Sequence, residues 1–502
     1  MNRTVIIVGA GPTGLMLAGE LRVAGVPVVV LDTLPEAVPF SRSLFVQNRT
    51  VEALRMRGLD WFADAPRWLR YNFGFLNLPR LRDDSEFVPR HAPQQEFERL
   101  LAERAEQLGV DVRRGHEVVG LVQDEAAAHV TVRSAAGTYQ LSAPFVVGCD
   151  GGRSTVRKLA AVDFPGTAST LHGITSYLSL PDNRLPDGPQ AAIHPGGIVA
   201  IAELEPGRFR ATCIEFDRAM PDRDTPPTLD DLLTGVRRVS GQELAVTEAH
   251  WISRFGNATR LAANYRQGRV LLAGDAAHIH FASAAQGLNT GIQDAVNLGW
   301  KLAAEVNGWA PEDLLDSYHR ERHPVGARVC MYSQAQVAMY HPVDKVAPLR
   351  GLFGKLMTLD SVRDHLLGLA TGMDIRYPDD TGAGHPSVGL RMPDAPLTTA
   401  AGATTIYGGL HDGAGLLLDL TGRDDEGAGA DGWADRVRHV RAEPVATVEA
   451  RRVLVRPDGY VAYAEAGEPD DDALRAALTR WFGQPRAGSI ARGGVTAGSS
   501  AG

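Results

Sequence analysis

The sequence predicts a protein of the α/β class with an inserted antiparallel sheet and a separate C-terminal domain. Two short, continuous apolar runs, 5–8 and 28–31, flank a helical stretch near the start of the chain, as is typical of parallel strands buried on both faces. From about 164 to 251 the pattern changes to short strands divided by Pro, Gly and Asp turns, which favours an antiparallel sheet. A stretch rich in Pro, Gly and Asp, 377–386, then predicts a linker. At 502 residues the chain has room for about three domains.

The first turn of the predicted parallel sheet carries the motif GxGxxG at residues 9–14. Gly9 permits a tight turn, Gly11 lets the backbone approach a pyrophosphate, and Gly14 lets the following helix pack closely on the strand. The N-terminus of that helix offers free N–H groups and partial positive charge to phosphates. Asp32 ends the second strand, near the offset of about 20 residues expected of a ribose-binding acid. Strand, loop, helix and acid together predict a dinucleotide site, against the alternative of a glycine-rich turn without a ligand.

Further strands and helices follow on both sides of the antiparallel region. Strands are predicted over 110–112, 118–122 and 130–132, which we expect to form a meander, and again over 145–149 and 269–273. The turn Pro457-Asp458-Gly459 between two apolar runs predicts a hairpin. Helical spacing of apolar residues predicts helices over about 48–57, 94–108, from 289 onwards, from 311 towards 340 with a kink near Pro324, and over 471–482.

Composition limits the partners and the location that we expect. The net charge is −9, which argues against nucleic acid or an anionic membrane as a partner. No stretch approaches the ~20 continuous apolar residues of a membrane span, and no signal-peptide pattern opens the chain. Cys149, Cys213 and Cys330 lack CxxC or metal-ligand spacing, so we expect no disulfide, no metal site and a cytoplasmic location.

Three separated motifs stand together in this chain: the glycine loop at 9–14, Asp150-Gly151 with Arg157, and Gly274-Asp275. With these motifs the sequence resembles the para-hydroxybenzoate hydroxylase family of single-component FAD monooxygenases over nearly its whole length. Taken alone, Asp150 is as typical of a helix cap and Arg157 of a surface charge. In company with the other two motifs, both favour a cofactor role.

The sequence is most similar to a branch of that family, the aromatic polyketide hydroxylases of antibiotic biosynthesis, through the phrases at 287–295 and 456–461. The resemblance implies a Rossmann-like FAD-binding domain, an inserted, mostly antiparallel β-sheet domain for the substrate, and a C-terminal thioredoxin-like domain without CxxC. The implied boundaries are 1–75, 92–163 and 264–330 for FAD, 76–91 and 164–263 for the substrate, 331–380 for a helical connection, 381–486 for the thioredoxin-like domain and 487–502 for a disordered tail.

The resemblance also assigns contacts to FAD. Asp32 is implied to bind the adenosine ribose, Val118 the adenine through its backbone, and Arg42 and Gln94 the pyrophosphate side. The full set of implied cofactor-binding residues is Gly9, Gly11, Pro12, Thr13, Gly14, Asp32, Arg42, Gln94, Val118, Asp150, Arg157, Asp275, Gln286, Gly287, Leu288 and Asn289.

The remaining members of that set lie nearer the flavin. Asp150 and Arg157 are implied to serve both FAD and NAD(P)H, and Asp275 to contact the ribityl chain or the pyrophosphate. The backbone from Gln286 to Asn289 is implied to border the flavin ring. There the N-terminus of a helix, equivalent to roughly +0.5 charge, stabilises negative charge on the ring.

The activity implied by the resemblance is oxidation of a polycyclic aromatic polyketide or a related phenol through a flavin C4a-hydroperoxide. No second GxGxxG exists, so NADPH or NADH is expected as a transient reductant without a domain of its own. Because the flavin carries the chemistry, we name no catalytic base and interpret His278 as structural. The expected partners are the aromatic substrate and dioxygen, and the expected state is a monomer or homodimer. A flavin halogenase is disfavoured because the WxWxIP signature is absent.

One segment departs from the family pattern. Relatives usually have a Pro and a Gly-Gly pair where this chain has Ala282 and Ala284-Ala285. If the glycines use positive φ, alanine there costs roughly 1–2 kcal/mol per residue. The candidate pocket residues are Phe73, Phe75, Phe281, Ala282, Ala284 and Ala285.

This departure leaves several hypotheses open beside ordinary hydroxylation. The same fold can carry Baeyer–Villiger insertion, oxidative rearrangement, or a dehydration or oxidation without oxygen transfer, and a flavoprotein can sequester an aromatic ligand without turnover. A purely structural interpretation, in which the neighbouring backbone has adjusted to the alanines, stays open as well.

Overall fold

A computed structural model describes residues 3–82, 85–185, 191–218, 225–281, 285–382, 384–422 and 430–486. The predicted tail at 487–502 lies outside the described residues. The N-terminal half is built on a six-stranded sheet in which all strands but one edge strand pair in parallel. The order across this sheet is Arg266–Gln267 (the antiparallel edge), Val270–Leu272, Val146–Gly148, Val5–Val8, Val28–Asp32 and Asp111–Arg114.

The described residues form ten α-helices. Their bounds are Pro12–Val23, Asn48–Arg55, Gln94–Gln107, Thr155–Leu159, Leu229–Ser240, Gln286–Val306, Ser317–Val337, Val343–Leu356, Asp360–Thr371 and Asp471–Phe482. Pro324 lies inside the helix Ser317–Val337, which begins six residues after the predicted start at 311. Among the described residues, no helix is long and apolar enough to cross a membrane.

The predicted meander is wrong in its first strand. Asp111–Arg114 pairs in parallel with Val28–Asp32 and extends the main sheet. The antiparallel three-stranded sheet that follows consists of Glu117–Gln123, Ala128–Ser134 and Gly137–Ala143. The apolar residues of the predicted run, Val110 and Val112, are as compatible with an edge of the parallel sheet as with a meander, because periodicity does not specify the partner strand.

The inserted region is an antiparallel five-stranded sheet, in agreement with the prediction. Its order is Ala191–His194, Gly197–Glu205, Arg208–Glu215, His172–Ser179 and Glu248–Gly256. The helix Leu229–Ser240 covers one face of this sheet, and it starts with a capping box formed by Thr228 and Asp231. The opposite face is turned towards the FAD-binding half.

Short ladders complete the connections between these units. They are Phe45–Val46 with Arg90–His91, Asn72–Phe73 with Leu76–Asn77, Gly166–Thr167 with Thr259–Leu261 and His278–Ile279, and Pro396–Thr399 with Gly402–Thr405.

The C-terminal domain is a four-stranded mixed sheet closed by the helix Asp471–Phe482, whose bounds were predicted correctly. The strand order is Val437–Arg441, Gly415–Asp419, Arg452–Val455 and Val461–Glu465, and the last two form the predicted hairpin. The predicted linker is partly packed, because Tyr377 is buried and stacks on Tyr460 with a ring separation of 4.0 Å.

Buried ion pairs join this domain to the helices of the N-terminal half. The guanidinium of Arg456 donates to Glu321 at 2.6 and 2.8 Å, and Glu321 also accepts from Lys301 at 2.8 Å. All three side chains are almost completely buried. Removal of one partner from such a buried pair would be strongly destabilising, since it would leave an uncompensated buried charge.

Candidate active site

The glycine loop has the geometry that its sequence predicts. Gly9 has φ +108°, and a Cβ there would lie 2.3 Å from the Cys149 carbonyl oxygen. A Cβ on Gly14 would lie 2.0 Å from the Gly9 carbonyl oxygen, whereas a Cβ on Gly11 would meet nothing within 4 Å. Gly11 is the N-cap of the helix Pro12–Val23 and gives it no side-chain cap. The loop is therefore tight against the strands and open in front of the helix N-terminus, as an anion-binding loop requires.

Asp32 lies beside this loop at the end of its strand. Its Oδ2 accepts a hydrogen bond from Ala10 N at 2.6 Å, and its Oδ1 accepts one from Leu34 N at 2.8 Å. An ionised carboxylate has roughly four acceptor positions, so Asp32 retains capacity for the hydroxyl groups of a ribose.

The three separated motifs meet in space. The Gly9 turn packs on Cys149 next to Asp150, and Thr13 fills the space that a side chain on Gly274 would need, 2.7 Å from such a Cβ. A Cβ on Gly291 would lie 2.3 Å from the Thr13 hydroxyl as well. The glycine loop therefore lies in direct contact with both other motifs.

The two carboxylate oxygens of Asp150 have different surroundings. Asp150 does cap a helix, because its Oδ2 accepts from Thr155 N at 2.6 Å and from Val156 N at 3.1 Å. Its other oxygen, Oδ1, is buried without a hydrogen-bond partner, and an unpaired buried acceptor is a position where a ligand donor is expected.

Arg157 is buried and is not a surface charge. Its guanidinium donates to Ala276 O at 2.8 Å and to Gly152 O at 3.0 Å, and it stacks on the Phe164 ring at 3.7 Å. It therefore ties the Asp150 turn to the Gly274-Asp275 turn. Through these backbone carbonyls, Arg157 holds two of the predicted cofactor motifs together.

The helix Gln286–Val306 presents a second open N-terminus. Its N-cap is Ala285, which has left-handed φ/ψ of +53° and +29° and contributes no side-chain cap. Gln286 donates to Leu369 O at 2.9 Å, and its Oε1 is buried without a partner. Ala282 and Ala284 lie outside the described residues. At Ala285 the positive φ expected from the missing glycine is present.

The other residues of this turn divide between structure and site. The Asn289 amide is committed to protein contacts, because it accepts from Gln47 N at 2.8 Å and donates to Phe45 O at 3.1 Å. Leu288 is half-buried. A Cβ on Gly287 would lie 3.8 Å from the exposed Asp275 carboxylate, so this acid flanks the first turn of the helix.

His280 flanks the same turn and was missed by the sequence reasoning. Its Nε2 would lie 3.6 Å from a Cβ on Gly287. Its Nδ1 donates to the Phe281 carbonyl at 2.9 Å, which leaves Nε2 as an acceptor in the neutral ring. Burial lowers the pKa of His280, so the ring is neutral at pH 7.

Asp294 is a second residue that the sequence reasoning missed. It is fully buried, accepts from Arg322 Nε at 2.7 Å and from Gly274 N at 3.1 Å, and lies 2.7 Å from His278 Nε2. Burial alone would raise the pKa of Asp294, but Arg322 and His278 outweigh it and hold this pKa below its usual value. The predicted structural role of His278 agrees with this network, which fixes the Gly274 turn. No signal in the sequence distinguishes Asp294, because its helix also carries Asn289, Gln293 and Asn297 among its apolar residues.

Arg42, Gln94 and Val118 remain of the predicted cofactor residues. Arg42 is exposed. Gln94 begins a helix and accepts from Ser43 N at 3.2 Å, so it holds the segment that carries Arg42. Val118 is buried next to a register shift between Val118 and Gly120, which interrupts the backbone ladder where an adenine contact is predicted.

The predicted pocket aromatics fall into two groups. Phe281 and Phe75 lie in one apolar cluster around Tyr340, with ring separations to Tyr340 of 6.0 and 5.5 Å. Phe255 and Ile214, from the inserted sheet, belong to the same cluster. We call this the Phe281 cluster.

Phe73 does not belong to it. It packs in a separate core against Tyr332 at 5.3 Å and Phe353 at 5.1 Å. Of the three predicted aromatics, Phe75 and Phe281 thus pack in a cluster that includes residues of the inserted sheet, and Phe73 does not.

These features fit FAD. Two helix N-termini without side-chain caps suit a pyrophosphate and the electron-rich edge of a flavin, and the Asp32 and Asp150 carboxylates offer acceptors to hydroxyl donors. Among the described residues, no group of three or more His, Cys, Asp or Glu side chains could hold a metal ion.

Comparisons with known proteins agree with an FAD-binding protein. Residues 2–333 match the FAD-binding domain family, and residues 385–485 match the C-terminal domain of aromatic-ring hydroxylases. The chain is 42% identical over 506 residues to 12-dehydrotetracycline 5-monooxygenase/anhydrotetracycline 6-monooxygenase of Streptomyces rimosus, covering 97% of this chain and 100% of that protein. The solved structure of the anhydrotetracycline hydroxylase OxyS of Streptomyces rimosus has 40% identity and a TM-score of 0.90, covering 97% of this chain and 100% of that one. A dialkyldecalin synthase of Streptomyces rugosporus is 38% identical over 491 residues, covering 96% of this chain and 99% of that protein.

Proposed function

The chain belongs to the family of FAD-dependent aromatic-ring monooxygenases, and we propose that its substrate is a polycyclic aromatic polyketide or a related phenol. It is an FAD enzyme that oxidises an aromatic small molecule with dioxygen. The observation that carries the substrate proposal is the Phe281 cluster, in which Phe281 packs with Tyr340 and with residues of the inserted sheet. A wall of aromatic and branched apolar side chains is suited to a flat, apolar ring system.

The same proposal assigns the residues around FAD. The glycine loop and the start of the helix Pro12–Val23 hold the pyrophosphate, Asp32 the ribose, and the first turn of Gln286–Val306 the flavin edge. When bound, FAD supplies the reduction and oxygen-transfer chemistry. The protein supplies position, charge and a dry surface: the N-terminus at Gln286 stabilises negative charge, and the Phe281 cluster orients the ring and excludes water.

NADPH or NADH serves as the transient reductant in this proposal. No second GxGxxG is present in the sequence, which supports a nicotinamide that visits the one site. We also propose a cytoplasmic monomer or homodimer that binds neither nucleic acid nor membrane. The net charge of −9 and three free cysteines, none of them exposed, support this part of the proposal.

A second candidate is FAD chemistry other than ordinary hydroxylation on the same fold. It is either a rearrangement or dehydration without oxygen transfer to the product, or a Baeyer–Villiger insertion. It is favoured by one observation, the left-handed Ala285 at the start of the flavin-facing helix. The similarity to a dialkyldecalin synthase supports it too. A flavoprotein that only sequesters an aromatic ligand is a third candidate.

Turnover with a panel of polycyclic phenols distinguishes these candidates. The holoenzyme is mixed with NADPH or NADH and either a dihydroxyanthraquinone or the parent anthraquinone, and nicotinamide oxidation and product mass are followed. We expect the phenol to stimulate nicotinamide oxidation and to gain one oxygen atom. Tight binding without stimulation would support sequestration, and a product without added oxygen would support rearrangement or dehydration. A product that gains one oxygen atom as an ester or lactone, and not as a hydroxyl group, would support Baeyer–Villiger insertion.

A further inference from the structure

The segment 40–43 carries Arg42, which we assign to the pyrophosphate side of FAD, and it lies between two larger units. On one side is the helix Gln94–Gln107, whose Gln95 N donates to the Ser41 hydroxyl at 3.1 Å. On the other side is the inserted sheet. Ser41 itself is buried, with 5% of its surface exposed, whereas Arg42 is exposed.

Two neighbouring side chains of the inserted sheet hold the backbone of this segment. The Tyr177 hydroxyl donates to the Ser41 carbonyl. The Arg210 Nη2 donates to the same carbonyl at 3.1 Å and to the Arg42 carbonyl at 3.0 Å. Tyr177 and Arg210 are cross-strand partners in the sheet, so both reach the segment from one face. The two carbonyls belong to the peptide planes on either side of the Arg42 Cα, so holding both fixes the Arg42 backbone and the direction in which its side chain leaves the chain.

A third contact comes from the same sheet. Phe40 stacks on Trp251 with a ring separation of 4.2 Å, and Trp251 pairs with Tyr177 across the strands. The segment is therefore anchored by a ring stack before Ser41 and by hydrogen bonds at Ser41 and Arg42.

An arginine at position 210 is not explained by folding stability alone. Its Nε is buried without a hydrogen-bond partner, and an unpaired buried polar group is unfavourable. Arg210 shares its sheet face with Ile214, four residues along the same strand, because side chains alternate along a strand. Ile214 belongs to the Phe281 cluster. The strand Arg208–Glu215 therefore contributes side chains both to the Phe281 cluster and to the contacts with the segment that carries Arg42.

We propose that Arg210 and Tyr177 are positioning residues for the cofactor: they hold the 40–43 segment so that Arg42 meets FAD, and they fix the substrate face of the sheet relative to it. Neither side chain needs to touch FAD for this role. The inference rests on the proposed role of Arg42 at the cofactor.

The test measures the FAD dissociation constant of the full-length protein by quenching of flavin fluorescence, together with the thermal midpoint of the apoprotein. The variants are Arg210→Ala, Arg210→Lys, Tyr177→Phe and Arg42→Ala. Arg254→Ala is the matched control, because Arg254 lies on a strand of the same sheet and donates to a backbone carbonyl, that of Thr225 at 2.8 Å, away from the 40–43 segment.

Loss of charge-assisted hydrogen bonds predicts that Arg210→Ala weakens FAD binding about tenfold, and that Tyr177→Phe weakens it less. Arg210→Lys should recover part of the affinity, and Arg254→Ala should leave it unchanged. The thermal midpoints of the Arg210→Ala and Arg254→Ala apoproteins should agree, which separates positioning from a general loss of stability.

Equal FAD affinity of Arg210→Ala, Tyr177→Phe and the control would overturn the inference. If Arg210→Ala does not fold, Tyr177→Phe decides alone, since it removes one hydroxyl. If Arg42→Ala binds FAD as the wild type does, the inference fails together with the role of Arg42, while turnover of the phenol panel still stands as a separate test of the proposed function.

Discussion

Ala285 gives the sharpest quantitative prediction, because an alanine stands in a conformation that favours glycine. It has φ +53° and ψ +29° and immediately precedes the helix that faces the flavin in our proposal. Asn289 Nδ2 donates to its carbonyl at 2.8 Å, so the turn is held in place. The perturbation is Ala285→Gly, alone and together with Ala284→Gly.

The magnitude follows from two opposing terms. A left-handed conformation costs a residue with a Cβ about 1–2 kcal/mol, and glycine removes this cost. Glycine also gives the unfolded chain more freedom, which offsets about 0.4–1 kcal/mol. The net stabilisation is then roughly 0–1.6 kcal/mol. A gain of 1 kcal/mol raises the thermal midpoint of a domain of this size by about 2–4 °C.

Ala161 offers a matched control. It also has φ +53°, but it lies on the exposed turn after the helix Thr155–Leu159. We expect Ala161→Gly and Ala285→Gly to stabilise the protein by similar amounts. Only Ala285→Gly should change the fraction of NAD(P)H oxidation that yields product, because only its methyl group adjoins the flavin-facing turn.

The assay compares product formed, nicotinamide consumed and hydrogen peroxide released, beside the thermal midpoints. Unchanged coupling in Ala285→Gly and in the double variant would show that the alanines are merely tolerated. A loss of stability in both Ala285→Gly and Ala161→Gly would refute the strain argument itself.

Three further predictions concern buried residues that hold the elements of the protein together. Gly14→Ala should abolish FAD binding, because its Cβ would lie 2.0 Å from the Gly9 carbonyl; flavin content of the purified protein reports this, and normal content would contradict the packing. Asp294→Asn should destabilise the protein by about 3–5 kcal/mol, since it leaves the Arg322 charge buried without its counter-ion, whereas a thermal midpoint equal to that of the wild type would show that the network carries little energy. Burial alone would raise the pKa of Glu321, but Arg456 and Lys301 outweigh it and hold this pKa below its usual value. The contribution of ionised Glu321 to the free energy of unfolding is therefore fully present above about pH 4.3 and is lost as the pH falls further. Glu321→Gln should therefore be less stable at pH 7 and lose less on acidification than the wild type, and parallel stability curves from pH 7 to 3 would contradict this assignment.

Local patterns predicted those parts of the fold that local physics determines. The glycine loop, the hairpin around Pro457 and the helix Asp471–Phe482 each carry their own signals, namely glycines at fixed offsets, turn residues between apolar runs, and helical spacing of apolar residues. The strand Asp111–Arg114 was assigned to the wrong sheet because its partner, Val28–Asp32, lies far away along the chain.

In the site, too, local motifs could be predicted from the sequence, whereas residues that act through distant partners could not. The motif residues converge as expected, because glycines at 9, 14, 274 and 291 permit close approach of separate elements. The residues that support the motifs could not be read from the sequence. Asp294 and Arg210 belong to an ordinary helix and an ordinary strand, and only the tertiary structure shows that one holds the Gly274 turn and the other the Arg42 backbone. Phe73 and Phe75 were indistinguishable in sequence, but they pack in different cores.

The central claim is that this FAD enzyme transfers oxygen to a polycyclic phenol at the Phe281 cluster. The most direct test is turnover of the holoenzyme with NAD(P)H, a phenol that stimulates nicotinamide oxidation, and isotopically labelled dioxygen, followed by mass spectrometry of the product. The account predicts one labelled oxygen atom in each product molecule, with formation of labelled product reduced when Phe281 is replaced by alanine. A product that forms at full yield without the label would contradict it.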